Sequence, residues 1–442
     1  TRMKSAMPKV LHQIAGKPML AHVIDTAQQL QPAEVVVVYG HGGDQVRQQL
    51  GSYDVKWALQ EQQLGTGHAV MQGLPLLRGV DRVLVLYGDV PLIRLDTLQR
   101  LLEASIETSI GMLTVRVAEP FGYGRVVRDE FDRIARIVEH KDASADELAI
   151  DEINAGIMTM DYPELTAWLE NLNNDNVQNE YYLTDVIDMA VDDGHVVASV
   201  QPHSPEEVEG VNDRVQLARM ERCMQQRLAT ELMLQGATLM DPLRVDIRGA
   251  VRAAEDVIID VNVTLQGEVE IGRGTTIGAN THVMNCTLGE NVVILQNCVI
   301  EDAEIGSGCK IGPFARIRPG TVLGEDCHIG NFVELKNAQV DRRSKINHLS
   351  YVGDTTVGRD VNVGAGVITC NYDGANKHRT VIGNDVFLGS DTQLIAPVTV
   401  ASGATIGAGS TITRDAPADQ LTLSRSKQVS KPGWQRPRKE NS

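Results

Sequence analysis

The most regular feature of this chain is a hydrophobic beat with a step of about six residues. From about residue 259 an aliphatic side chain, often followed by glycine, recurs at Ile271, Ile277, Val283, Leu288, Ile294, Ile300, Ile305, Ile311, Ile317, Leu323, Ile329, Leu335, Val340, Ile346, Val352, Val357 and Val363. It resumes at Ile382, Leu388, Leu394, Val400, Ile406 and Ile412. This is the hexapeptide signature of a parallel β-helix. Each aliphatic residue points inward, the small residue after it lets the backbone turn a corner, and three hexads make one triangular coil. One coil cannot bury its own face, so many must stack. The beat fails in one place. After Val363 the next inward positions fall on Thr369 and Ala375, so the polar stretch Cys370–Arg379 is expected to bulge outward. A long bulge in a regular solenoid is usually functional.

The first half reads differently. Residues 1–212 alternate helical and strand patterns. Pro18–Leu30 places Met19, Leu20, Val23, Ile24 and Ala27 on one side of a helix. Glu34–Val38 and Arg82–Tyr87 read as buried strands. Such alternation predicts an α/β domain with a mostly parallel sheet. Ligands in such sheets sit beyond the carboxyl ends of the strands, and Gly88-Asp89-Val90-Pro91 falls at one. Val215, Leu217, Met220, Met224, Leu228 and Leu232 then mark one amphipathic helix, closed by Gly236. The expected layout is an α/β domain over 1–214, a helical linker over 215–235 and a β-helix over 236–442. The tail beyond Leu421 is basic, with Arg425, Lys427, Lys431, Arg436, Arg438 and Lys439.

A chain of 442 residues exceeds one ordinary core, in keeping with two domains. The net charge of −17 argues against a general nucleic-acid binder. No apolar run approaches the ~20 residues of a membrane span, and no secretory leader is visible. The six cysteines are scattered without a C-x-x-C pair, which disfavours a zinc ribbon or redox motif. Reduced thiols in a cytoplasmic protein are the expectation.

Several polar groups could carry chemistry. Leu64-Gly65-Thr66-Gly67-His68 is a small-residue turn with backbone N–H groups free to approach a ligand. Asp89 at a strand end is placed to hold Mg²⁺, which prefers hard oxygen ligands, and reads equally as a turn or cap residue. Gly122-Tyr123-Gly124-Arg125, Glu139 and Asn154 are singly turn or surface residues. In order along the chain, however, Pro8-Lys9, Gln60 with Leu64-Gly65-Thr66-Gly67, Tyr87-Gly88-Asp89, Gly122-Tyr123-Gly124-Arg125, Glu139-His140-Lys141 and Asn154-Ala155-Gly156 resemble the sugar-nucleotide pyrophosphorylases. Joined to a hexapeptide β-helix, and with the block Asn371-Tyr372-Asp373-Gly374-Ala375-Asn376-Lys377, the whole chain resembles the bifunctional N-acetylglucosamine-1-phosphate uridyltransferase/glucosamine-1-phosphate acetyltransferase family.

The resemblance implies a Rossmann-like nucleotidyltransferase domain followed by a left-handed parallel β-helix. It implies acetyl-CoA and UTP as co-substrates and Mg²⁺ at the uridyltransferase site. Arg2 and Lys9 would face the UTP phosphates, Asp89 and Asn212 would hold Mg²⁺, and Gln60, Gly65 and Thr66 would contact uracil. Tyr87 and Gly88 flank Asp89, while Gly124, Glu139 and Asn154 would position the sugar. In the β-helix, His348 would be the general base, a task for which histidine is suited. Arg318 and Lys336 would bind phosphate, and Tyr351, Asn362 and Lys377 the sugar. Ala365, Asn371, Tyr372, Ser390, Ala408 and Arg425 would line the acetyl-CoA path. Lys336, Tyr351 and Asn362 follow at intervals of a coil or less and are expected to converge on one edge. A homotrimer that acts only on small molecules, away from membrane and nucleic acid, is implied. The family's glycine-rich nucleotide loop is present here only as Thr1-Arg2-Met3. A polypeptide that truly starts at Thr1 is therefore expected to be an acetyltransferase only, with uridylyl transfer nearly absent, because the backbone donors that cradle the nucleotide would be missing.

Overall fold

The computed structural model describes residues 3–40, 42–437 and 439. Arg2, and Arg438 of the basic tail, lie outside the described residues. The chain divides into two compact units, Thr1–Met224 and Gln225–Ser442.

In the first unit the helix Met19–Gln29 starts directly after Pro18 and buries Met19, Leu20, Ala21, Val23 and Ile24. Strands Val36–Tyr39 (β1) and Lys56–Leu59 (β2) pair in parallel. A six-stranded sheet is built from Arg82–Val85 (β3), Ile110–Arg116 (β4), Arg125–Arg128 (β5), Ile134–Val138 (β6), Glu152–Asp161 (β7) and Val197–Val200 (β8). Its order is β8-β4-β7-β5-β6, with β3 on β7. The expected mostly parallel sheet is in fact mixed. β8 runs parallel to β4, but β7 is antiparallel to β3, β4 and β5, and β5 to β6. The cause is β7, a ten-residue strand that enters between β3 and β4 and buries Ile153, Ile157, Met158 and Met160. Its register on β4 slips between Met112 and Thr114, opposite Asn154–Met158, where Gly156 has φ +80°. Such a bulge re-aims side chains, here beside Asn154.

The helix Arg214–Leu234 ends as the sequence suggests. Gly236 takes φ +105°, its N–H reaches Met233 O and the N–H of Ala237 reaches Leu232 O, the two bonds of a Schellman cap.

In the second unit every aliphatic residue of the six-residue beat is buried. The pairs Ile277–Ile294–Ile311–Ile329–Ile346–Val363–Leu388–Ile406 stack in parallel register, one coil to the next. Corner side chains one coil apart bond at separations of 17 or 18 residues, as in Asn285–Asp302 and Asn262–Asn280. The shorter coils contain a five-residue step such as Val283–Leu288. Asn262, Asn280, Asn297, Asp326 and Asp360 occupy left-handed corner positions, which Asn and Asp tolerate best after glycine.

One coil is longer: Arg359 N and Asn384 Oδ1 bond across 25 residues. The extra chain is the expected outward bulge, but it starts later. Thr369 keeps the inward beat, 1% exposed, because its hydroxyl accepts from Gly353 N and donates to Gly353 O. Cys370 closes the strand Ile368–Cys370, and the loop covers residues 371–379 before the strand Thr380–Ile382. No disulfide forms among the described residues: Cys286, Cys298, Cys309 and Cys327 are buried, and Cys223 and Cys370 are half-buried. Among the described residues no helix is long and apolar enough to cross a membrane.

Candidate functional sites

In the α/β unit the turn after β3 presents Asp89. Lys9 Nζ lies 2.5 Å from Asp89 Oδ2 and 3.0 Å from Asn212 Oδ1. Val211 N donates to Asp89 O at 3.0 Å, which fixes the Asn212 segment against the turn. Three residues far apart in sequence thus meet at one point. Two hard oxygens converge there on a single cationic atom, which suits Mg²⁺. Among the described residues no group of three or more His, Cys, Asp or Glu is placed to hold a metal, so the remaining oxygens would come from water and a phosphate substrate.

Beside this point lies a second cluster. Burial, then the charges of Glu139 and Asp89, push the Tyr87 phenol up to about 12, so it stays a neutral donor. Its ring covers Gly156, where a Cβ would fall 2.6 Å from a ring carbon. Asn154 Oδ1 accepts from Gly156 N at 2.8 Å, and Asn154 N donates to Gly124 O at 2.9 Å. Glu139 accepts from Thr184 Oγ1 at 3.0 Å, and burial pushes its carboxyl up. A Cβ on Gly124 would sit 3.0 Å from Ile137 Cγ2 and 3.4 Å from Glu139 Oε1, so the backbone packs closely beside that carboxylate. A Cβ on Gly88 would lie 3.0 Å from Leu20.

Gln60 is 8% exposed; its Nε2 donates to Gly65 O at 3.1 Å and meets His68 Nδ1 at 3.0 Å. Gly65 has φ +109° and opens the helix Thr66–Gly73. Sequence reasoning missed the segment that clamps this turn. Tyr181 N donates to Leu64 O, Gly67 N to Tyr181 O, and Leu183 N to Thr66 Oγ1. No periodicity marks that segment.

In the β-helix one corner repeats through successive coils. His348 pairs in register with Asn331 above it, and its Nδ1 lies 3.0 Å from Asn331 Oδ1. Below, Gly366 N bonds to His348 O, Asp391 N to Ala365 O, and Gly409 N to Ser390 O. Arg425 Nη1 reaches Ala408 O at 2.7 Å. His348, Ala365, Ser390, Ala408 and Arg425 therefore form one column, with only small side chains between the histidine and the arginine. Asn331 was not foreseen, although it lies one coil, 17 residues, before His348.

The expected cations stand on the adjoining face. Arg318 Nη1 pairs with Glu334 Oε1 at 2.7 Å, and Glu334 is in register with Tyr351. The Tyr351 phenol lies over Gly353, in register with Lys336. Lys377, reaching in from the loop, depresses the Lys336 ammonium, and Arg318 adds to the effect. Asn362 pairs instead with Lys345 and Phe387 in the other sheet. Within one chain, Lys336 and Tyr351 therefore share a face and Asn362 does not. Asn371 is 8% exposed and Tyr372 is 61% exposed, at the base of a hairpin bridged at Tyr372–Lys377.

Fold and sites together define a two-domain transferase, and comparison with known proteins agrees. The MobA-like NTP transferase domain matches residues 1–148, the GMPPB C-terminal domain 247–340, and the six-repeat bacterial transferase hexapeptide 379–414. Bifunctional protein GlmU of Ralstonia nicotianae is 55% identical over 99% of this chain and 96% of its own length. The GlmU proteins of Aromatoleum aromaticum and Cupriavidus pinatubonensis are 55% and 56% identical over the same shares. The chain belongs to the GlmU family of bifunctional proteins, with a nucleotidyltransferase half and a hexapeptide acetyltransferase half.

Proposed function

We infer that the chain carries out two consecutive transfers that end in UDP-N-acetylglucosamine. The hexapeptide half moves the acetyl group of acetyl-CoA to the amine of glucosamine 1-phosphate. The α/β half joins the resulting N-acetylglucosamine 1-phosphate to UTP and releases pyrophosphate.

For acetyl transfer, His348 takes a proton from the amine as its nitrogen attacks the thioester carbonyl. The C–S bond then breaks and the CoA thiolate leaves with a proton. Arg318 and Lys336 hold the sugar phosphate, and Tyr351, Asn362 and Lys377 the sugar. The facing ammonium groups of Lys336 and Lys377 repel one another, a cost that a bound phosphate relieves. Ala365, Asn371, Tyr372, Ser390, Ala408 and Arg425 line the acetyl-CoA path. The observation that carries this reading is the column of small side chains running from His348 to Arg425. It gives an extended thioester a groove with the base at one end and a cation for its phosphates at the other. The division of the other sugar-binding groups between two faces supports a site completed by neighbouring copies, and hence a homotrimer.

For uridylyl transfer, the sugar phosphate oxygen attacks the α-phosphorus of UTP and the bond to the β-phosphate breaks. Lys9, and by resemblance Arg2, would meet the phosphates, and Asp89 and Asn212 would hold Mg²⁺. When bound, that ion supplies neutralisation of the phosphate charge. Gln60, Gly65 and Thr66 face uracil, and Tyr87, Gly124, Glu139 and Asn154 orient the sugar. Both reactions are placed in the cytoplasm, where acetyl-CoA and UTP are supplied.

The test uses protein purified with an intact glycine-rich nucleotide loop, in the presence of Mg²⁺. Glucosamine 1-phosphate and acetyl-CoA alone should release free thiol. N-acetylglucosamine 1-phosphate and UTP alone should release pyrophosphate. Pyrophosphate without thiol in these assays would reduce the β-helix to an assembly module.

A further inference from the structure

The coil that carries the outward loop is stapled at its mouth by one residue outside every group named above. Asp354 sits at a corner in the left-handed region, φ +48°, one coil before Asn371. Its main chain is tied on both sides: its N–H donates to Lys336 O at 2.9 Å and its carbonyl accepts from Thr380 N at 3.2 Å. Its carboxylate accepts from Asn337 Nδ2 at 2.7 Å through Oδ1 and from Asn371 Nδ2 at 2.5 Å through Oδ2. Asp354 thus grips both the first residue of the loop, Asn371, and the residue where the strand resumes, Thr380.

The chemistry of that grip fixes a direction. An ionised carboxylate only accepts hydrogen bonds. Burial alone would raise the Asp354 carboxyl, but the bonds from Asn337 and Asn371, with Lys377 and Lys336 nearby, hold it below the usual range. The group facing it must therefore be the Asn371 NH₂. The Asn371 carbonyl Oδ1 is left pointing away from Asp354, and no partner takes it among the described residues. An amide free to flip would offer a donor half the time; this one is held as an acceptor.

We propose that Asp354 is a positioning residue for acetyl transfer: it locks the Asn371 amide so that Oδ1 accepts an amide N–H of the pantetheine arm of acetyl-CoA. The proposal rests on the acetyltransferase reading and deepens it. Asp354 also lies among Lys336 and Lys377, so removing its charge cannot weaken their hold on a sugar phosphate. The two substrates should respond oppositely, which a general loosening of the fold would not produce.

The experiment measures steady-state acetyl transfer with D354N, N371A and the double variant of the full chain. D354N offers Asn371 a donor as well as an acceptor and so permits the flip. It should raise the KM for acetyl-CoA about tenfold, the scale of one lost hydrogen bond, and leave the KM for glucosamine 1-phosphate level or lower. Added to N371A, it should change little more, because it acts through Asn371. A circular-dichroism melt of each variant serves as the control for folding of the β-helix. An unchanged KM for acetyl-CoA in D354N, a matching rise for both substrates, or multiplying effects in the double variant would overturn the proposal. Absence of acetyl transfer from the unsubstituted chain would instead overturn the acetyltransferase reading beneath it.

Discussion

The two halves of this protein build polar sites by opposite routes. In the α/β unit Lys9, Asp89 and Asn212 are separated by most of the unit's length, and the fold gathers them at one strand end. In the β-helix the candidate residues descend one corner at intervals of about a coil: Asn331, His348, Ala365, then Ser390, Ala408 and Arg425. The first arrangement depends on every connection between the strands. The second is a local rule applied repeatedly, interrupted by a single insertion. The lesson is that a repeat can set residues along a line but cannot surround a ligand. The β-helix accordingly adds a loop, and its groups remain distributed over two faces.

That contrast can be broken most sharply at His348. His348→Ala should lower acetyl transfer by a factor of ~10²–10⁴ with the KM for acetyl-CoA unchanged, because only the base is lost. Near-normal turnover in a thiol-release assay would leave His348 as an ordinary corner residue. The counterpart is Asp89→Ala, which should lower uridylyl transfer by a factor of ~10²–10³ and spare acetyl transfer. A parallel fall in both activities would deny that each unit owns its reaction.

Gly156→Ala tests whether the α/β site is as tightly set as its geometry requires. The new Cβ would meet the Tyr87 ring, at a φ that disfavours any side chain. A cost of about 1–3 kcal/mol is expected, with a raised KM for the sugar phosphate. Melting can be followed through Trp57 and Trp168, which lie in this unit. An unshifted melt would mean that Tyr87 moves aside freely.

The smallest effect separates the electrostatics of the two halves. Burial, then the neighbouring Asp188 charge, push the Asp185 carboxyl up to about 6. Arginine holds carboxylates down in both halves, as Arg128 does for Glu152 and Arg343 for Asp360, whereas among the described residues the raised carboxyls, Glu139, Asp185, Asp188 and Glu209, fall in the α/β unit. A raised acid favours the folded state only while protonated. The stability tied to Asp185 is therefore present below the unfolded value of about 4 and is lost as pH rises towards 6. Asp185→Asn should raise the melting temperature of the α/β unit by roughly 2–4 °C at pH 7.5 and hardly at all near pH 4. Equal shifts at both pH values would exclude titration as the cause.

What the sequence determined by itself is the β-helix, down to the inward residue of nearly every hexad. Most coils repeat the same local requirement, an aliphatic residue inside and an Asn, Asp or Gly at the corner, with Phe314, Phe332, Arg343 and Leu349 as left-handed exceptions, so the pattern needs no knowledge of distant contacts. The bulge was legible as a broken beat, although Thr369 stays inside because its hydroxyl can be satisfied by backbone. Resemblance to known families supplied the candidate site residues as names along a line. Only the tertiary structure decided the rest. It joined Lys9 to Asp89 and Asn212, turned the expected parallel sheet into a mixed one through β7, and set Asn362 on a different face from Lys336. It also revealed Asn331, Asp354 and the Tyr181–Leu183 clamp, whose roles come from hydrogen bonds between remote segments. Periodicity records what one stretch of chain must bury, whereas these pairings depend on which other stretch the fold brings beside it.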